Sequence, residues 1–182
     1  MSKMPSSTEK VINLDKLLAN MPRLDTLWLE GFVYRLFAPG AAGLKCLTRK
    51  MENLKVMYLQ FFEIYDLVQI RAVLCLIRSA PNLQMLDISL EQSGNAEMLL
   101  DPSVFSDHMI LDQLETLKVI NMVASHNEFH LIRLLLASSP SLKSFDFNTE
   151  YIIHDPEEEW MITQEVRQIP RASRDAVIEW IF

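Results

Sequence analysis

The stretch Leu83-Gln84-Met85-Leu86-Asp87-Ile88 reads L-x-x-L-x-L with one hydrophobic substitution, and four more stretches of the chain read the same way. Their apolar positions are Leu24, Leu27 and Leu29; Leu54, Met57 and Leu59; Leu114, Leu117 and Val119; Leu142, Phe145 and Phe147. The phrases start at positions 24, 54, 83, 114 and 142, at spacings of 30, 29, 31 and 28. A period this regular marks a repeat architecture, in which one supersecondary unit is copied along the chain. Side chains alternate between the two faces of a strand, so the fourth and sixth residues of each phrase share a face, while the first closes the turn before it. All three are expected to point inward.

Between phrases the apolar period lengthens to about 3.6. Over Asp66 to Ser79, residues Leu67, Ile70, Leu74 and Ile77 form one stripe, which predicts a helix stopped by Pro81. Glu128 to Ser138 follows the capping box Ser125-x-x-Glu128 and is closed by Pro140, which predicts another. A further helix, about Glu9 to Asn20, opens on Ser6-x-x-Glu9 and presents Leu14, Leu17 and Leu18. Val33 to Lys50 contains Pro39 and Gly40 and reads mostly as loop, and Glu91 to Ile110 mixes polar residues with Met98 to Leu100. A βα unit of about 30 residues cannot bury its own apolar face, so each copy must stack on the next. The expected fold is therefore α/β: a leucine-rich-repeat solenoid with a parallel sheet on the concave side and helices on the convex side.

Composition narrows the function. With 182 residues, 49% of them hydrophobic, and only 4 Gly and 8 Pro, the chain is too apolar for disorder and long enough for one sizeable core. The formal charge of -7, from 17 Lys and Arg against 24 Asp and Glu, lacks the cation surplus that displaces phosphate counterions, so no nucleic-acid partner is expected. Cys46 and Cys75 lie in apolar surroundings without CxxC pairing and read as reduced core thiols. There is no Asn-x-Ser/Thr sequon, no signal-like N-terminus and no apolar run near the ~18 residues of a membrane span. An intracellular protein, cytoplasmic or nuclear and without membrane attachment, is the expectation.

The helix-to-strand junctions Ser79-Ala-Pro-Asn-Leu83 and Ser139-Pro-Ser-Leu142, together with the tail, resemble plant F-box/FBD/LRR-repeat proteins. In that family an acidic-to-apolar helix leads to a stretch like F-R-R-A-S-P and then a last hydrophobic strand. Here the matching stretch is Ile169-Pro-Arg171-Ala172-Ser173-Arg174, followed by Ala176 to Phe182, with Pro170 in place of the first Arg and Arg174 in place of the final Pro. The resemblance runs from about Leu24. It implies a leucine-rich-repeat segment over 1–110 and an FBD-like segment over 111–182 continuous with the solenoid. It also implies, for relatives, an F-box that docks on the Skp-type linker of a cullin-RING ubiquitin ligase while the repeats hold a substrate. Only about 20 residues precede the first phrase, so no F-box and no Skp-type linker binding are expected here, and the chain resembles the C-terminal half of a longer array.

Candidate chemistry is sparse. His126 and His130 stand at i and i+4, on one helix face, but the order H-x-E-x-H departs from the H-E-x-x-H of a zinc protease and no third ligand follows, so no metal is expected. Asp155-Pro156-Glu157-Glu158-Glu159 is an acidic patch or, more simply, a helix start, with Asp as N-cap and Pro at N1. Arg167, Arg171 and Arg174 either grip an anion or pair with nearby glutamates. No nucleophile elbow, P-loop or dinucleotide glycine pattern occurs, so neither catalysis nor a cofactor is expected.

What remains is the sheet face opposite the buried leucines. Its candidate partner-binding residues are Trp28, Glu30, Tyr58, Gln60, Asp87, Lys118 and Asp146, within the alternating sets that run from Thr26 to Asn148. Trp28 and Tyr58 hold equivalent places in neighbouring strands and should lie side by side, either anchoring a partner or packing beneath a loop. The expected function is a noncatalytic protein-protein interaction module resembling the substrate-binding part of an F-box ligase adaptor. The alternative is a truncated paralogue without adaptor activity, inert or competing for the parent's ligand.

Overall fold

Each of the five phrases runs into a strand: β1 (Thr26–Glu30), β2 (Val56–Phe62), β3 (Met85–Leu90), β4 (Thr116–Met122) and β5 (Ser144–Thr149). A sixth, β6 (Val177–Trp180), lies within the terminal segment Ala176 to Phe182. The computed structural model describes residues 17, 20–31, 33–36, 49–91, 99–105, 109–149 and 156–181. The strands form one sheet in chain order, β1-β2-β3-β4-β5-β6, and every neighbouring pair is parallel. Because β3 pairs with β4, the segments before and after position 110 share this sheet.

The register places equivalent phrase residues side by side. Leu27, Met57, Leu86, Leu117, Phe145 and Ile178 form one row across the sheet, and Leu29, Leu59, Ile88, Val119, Phe147 and Trp180 a second. The first leucine of each phrase does what alternation cannot. The backbone N–H of Leu24, Leu54, Leu83, Leu114 and Leu142 donates to the carbonyl three residues earlier, at 3.1 to 3.4 Å, closing the turn that precedes its strand. Adjacent copies are also tied at that turn, where Asn53 Nδ2 donates to the Pro22 carbonyl at 2.6 Å and Asn82 Nδ2 to the Glu52 carbonyl at 2.7 Å. The four triplets from Leu54 onward are fully buried, whereas Leu24, Leu27 and Leu29 are partly buried against the same core, as befits a triplet on an edge strand.

The helices follow their caps. α1 (Val33–Leu36) is one turn, inside the stretch expected to be mostly loop. α2 (Leu67–Arg78) starts at Asp66, whose carboxylate accepts from the backbone N–H groups of Val68 and Gln69. α3 (His126–Ser138) starts at Ser125 with the reciprocal capping box to Glu128 formed. Both end on a serine, Ser79 and Ser139, whose hydroxyl donates to the carbonyl four residues back at 2.8 Å. α4 (Pro156–Gln168) takes Pro156 as its first residue, where the missing N–H costs nothing. Between β3 and β4 the described residues include a 3-10 turn, Pro102–Phe105.

Buried residues of α2, α3 and α4 join the inward strand rows in one cluster, so the helices cover a single face of the sheet. Parallel neighbours in chain order require this, since connections of one hand all pass over one side. Cys75 is buried in α2; Cys46, most of the helix expected over Glu9 to Asn20, and Asp155 lie outside the described residues. Among the described residues no helix is long and apolar enough to cross a membrane.

Candidate functional site

The sheet face turned away from the helices is built from the residues that alternate with the core rows. In register across it stand Trp28, Tyr58, Asp87, Lys118 and Asp146, and beyond them Glu179 of β6. Glu30 and Gln60 are paired one step further along β1 and β2. All seven candidate residues thus share one face, and two kinds of environment separate them.

At the β1 edge the face is open. Trp28 is 59% exposed and its ring lies on Tyr58, centroids 4.8 Å apart and planes tilted by 30°. The indole N–H donates to Glu30 Oε1 at 2.9 Å, a contact that the two-residue spacing on one strand face makes natural. Towards the middle of the sheet the polar groups satisfy one another. Asp87 is only 8% exposed; Gln60 Nε2 donates to its Oδ1 at 3.0 Å and Lys118 Nζ stands 4.0 Å from its Oδ2. A buried carboxylate needs such partners. Asp87 therefore braces β2 against β4, while Trp28 and Glu30 are open to solvent and Tyr58, Gln60, Lys118 and Asp146 are half-buried.

A surface residue of β2 breaks the alternation. In β2 the inward positions are Met57, Leu59 and then Phe62, with an irregularity in register between Leu59 and Phe62. The extra residue is Phe61, held at φ 53 and 49% exposed. β4 repeats the device two strands away, with Asn121 at φ 61 between Ile120 and the buried Met122. There the side chain is suited to it: Asn121 Nδ2 donates to Ser89 Oγ at 3.1 Å, and its backbone N–H donates to Asn148 Oδ1 at 2.9 Å. Asn tolerates the left-handed region, whereas a bulky Phe there is strained. The bulge re-aims an aromatic ring outward at the end of the strand that carries Tyr58.

Phe61 and Glu179 are the face residues that the five repeated phrases did not single out. The signal for the first was the pair Phe61-Phe62, since two adjacent aromatics cannot both sit on one face of a regular strand. For the second it was the alternation of Val177-Ile178-Glu179-Trp180, in which Ile178 is buried and Trp180 meets Phe147 edge-on at 5.3 Å.

The remaining chemistry is occupied by structure. His130 stacks on Phe105 with centroids 5.8 Å apart, while His126 is exposed. Burial lowers the affinity of His130 for a proton, and the charges of Arg133 and His126 lower it further. The Glu between them in sequence is turned away into the cap: Glu128 accepts from the backbone N–H of Ser125 at 2.7 Å and of Val123 at 3.1 Å. Burial pushes its carboxyl up from 4.5 to about 6, and those hydrogen bonds work in the opposite direction. Among the described residues no three His, Cys, Asp or Glu side chains come together. Arg167 and Arg174 are exposed and Arg171 is half-buried. No family model, curated protein or solved structure matches the chain.

Proposed function

We propose that the chain is a noncatalytic protein-protein interaction module, a leucine-rich-repeat solenoid whose concave sheet presents the docking surface. The in-register rows support the repeat reading. Curvature follows from dimensions, because strands stack about 4.8 Å apart while helices need about 10 Å, so a stack with helices on one face closes towards its strands. The resemblance to F-box/FBD/LRR-repeat proteins would make this the substrate-holding part of a ligase adaptor, acting inside the cell.

One observation carries the functional reading: Trp28 and Tyr58 form a packed, tilted aromatic pair on an open sheet face with Glu30 beside them. Exposed, pre-ordered aromatics are what interfaces use as anchors, since they bring large contact area at little entropic cost. The test is quantitative capture by the immobilised wild-type chain and by the Trp28→Ala/Tyr58→Ala variant. The variant should weaken capture of a specific partner by at least ~2 kcal/mol, or about thirtyfold, with an unchanged melting temperature. Equal capture by both proteins would remove the proposal.

A further inference from the structure

The open face is not electrically neutral, and its polarity says what kind of segment it fits. Among the described residues its charged groups are the carboxylates of Glu30, Asp87, Asp146 and Glu179 and a single ammonium, Lys118, which faces Asp87. With that pair set aside, three carboxylates remain: Glu30 at the aromatic end and Asp146 and Glu179 at the other, adjacent in register. At the aromatic end the Trp28 ring lies against Tyr58 on one side and is otherwise largely exposed, with the half-exposed Phe61 further along the same strand as Tyr58. Ring faces are negative and attract cations, most of all a planar guanidinium that stacks on the ring while pairing with a carboxylate beside it.

We infer that the occupant of this face is an extended, arginine-containing segment of a partner protein, with one arginine stacked on Trp28 beside Glu30 and a basic pair opposite Asp146 and Glu179. This rests on the interaction-module reading and adds the partner's chemistry to it. The dimensions are compatible. Five strand steps from Trp28 to Glu179 span about 24 Å, which an extended peptide at about 3.4 Å per residue covers with its eighth residue. Side chains of an extended peptide alternate, so when the stacked arginine is the first residue the seventh and ninth point at the sheet, about 20 and 27 Å along the peptide, within side-chain reach of Asp146 and Glu179. Lys118 makes the middle of the row unfavourable for a cation, so the basic residues belong at the ends.

The test uses the whole chain, labelled with 15N, and the peptide acetyl-Arg-Gly-Ser-Gly-Ser-Gly-Arg-Gly-Arg-amide, followed through the indole N–H resonance of Trp28. The inference expects saturable shifts at Trp28 and at Asp146 and Glu179, weaker binding of the lysine homologue, and none of the glutamate homologue. Moving the three arginines to the centre of the peptide should weaken binding severalfold. Trp28→Ala/Tyr58→Ala should weaken it about tenfold when read at Asp146 and Glu179, and Asp146→Asn/Glu179→Gln severalfold. The charge-matched control Asp112→Asn/Glu165→Gln, away from the face, should leave it unchanged.

Equal binding by the face variants, equal weakening by the control, or indifference to arginine placement would overturn the inference. So would shifts that depend on protein concentration without peptide and vanish in the aromatic variant, since the occupant would then be a second copy of the chain. If capture of a protein partner depends on Trp28 and Tyr58 while the peptide does not bind, the charge assignment fails and the interaction reading stands. If neither depends on them, both fail.

Discussion

Replacing Glu128 by Gln should change how the protein's stability depends on pH, in a direction that reveals which of two opposed forces governs the α3 cap. Glu128 is almost fully buried, which disfavours its charge, yet its carboxylate collects the backbone N–H groups of Val123 and Ser125, which favour it. Burial is the larger effect and raises the carboxyl from 4.5 to about 6. The folded protein therefore holds a proton there that the unfolded chain has released, and between about 4.5 and 6 the folded state binds more protons. Stability from this group is fully present below pH 4.5, declines as pH rises from there towards 6, and is lost above it. The difference in affinity corresponds to about 2 kcal/mol at 1.36 kcal/mol per pH unit.

The assay is urea unfolding of wild type and Glu128→Gln at a series of pH values from 4 to 7.5. The variant keeps the side-chain shape and one acceptor oxygen, and effects of every other titrating group cancel in the difference. A constant offset is expected from the amide N–H groups placed against backbone donors. On top of it, wild type should lose about 2 kcal/mol relative to the variant as pH rises through the window. A flat difference would mean that the hydrogen bonds fully offset desolvation, and wild type gaining on the variant with rising pH that they outweigh it; either result overturns the expected order of the two effects.

Two other substitutions test how the open face is supported. Tyr34 is fully buried, with a hydroxyl that donates to the carbonyls of Leu29 and Gln60 at 2.9 and 3.0 Å, so Tyr34→Phe should cost about 1 kcal/mol in denaturant unfolding by loosening the ends of β1 and β2. No measurable loss would show that water replaces that contact. Phe61→Asn places at φ 53 the residue type that β4 uses in the equivalent bulge, and should raise stability by about 0.5 to 1 kcal/mol while removing an aromatic from the face. A loss of stability would mean the Phe61 ring contributes more through packing than its backbone costs.

The strand rows were legible in the sequence because their cause is local and repeated. A phrase recurring near every 30 residues fixes both the inward face and the register, and Leu86, Leu117 and Phe145 stand side by side where their spacing implied. The helix starts at Asp66 and Ser125 were legible for the same reason, since a cap is satisfied by residues two or three positions away. What was not legible depends on neighbours distant in the chain. Asp87 looked like a surface acid, but β3 lies between β2 and β4, and Gln60 and Lys118 close over it. Leu27 and Leu29 follow the same phrase as the rest, yet an edge strand has a sheet neighbour on one side only. The bulge at Phe61 adds one residue to a strand and turns a ring outward, which a two-residue alternation cannot anticipate. His126 and His130 share a helix face as their spacing required, but the Glu between them serves the cap.

One sheet face is sealed beneath the helices, while the other leaves Trp28 open and Tyr58 half-buried, the surface proposed to meet a partner. Hydroxyl-radical footprinting of the intact chain, read residue by residue in mass spectra, addresses both halves in a single experiment. Rapid oxidation of Trp28 and Phe61 is expected, with intermediate oxidation of Tyr58 and strong protection of Met57, Phe145 and Phe147. Rapid labelling of Met57 or Phe145, or a protected Trp28 in the free protein, would contradict that arrangement.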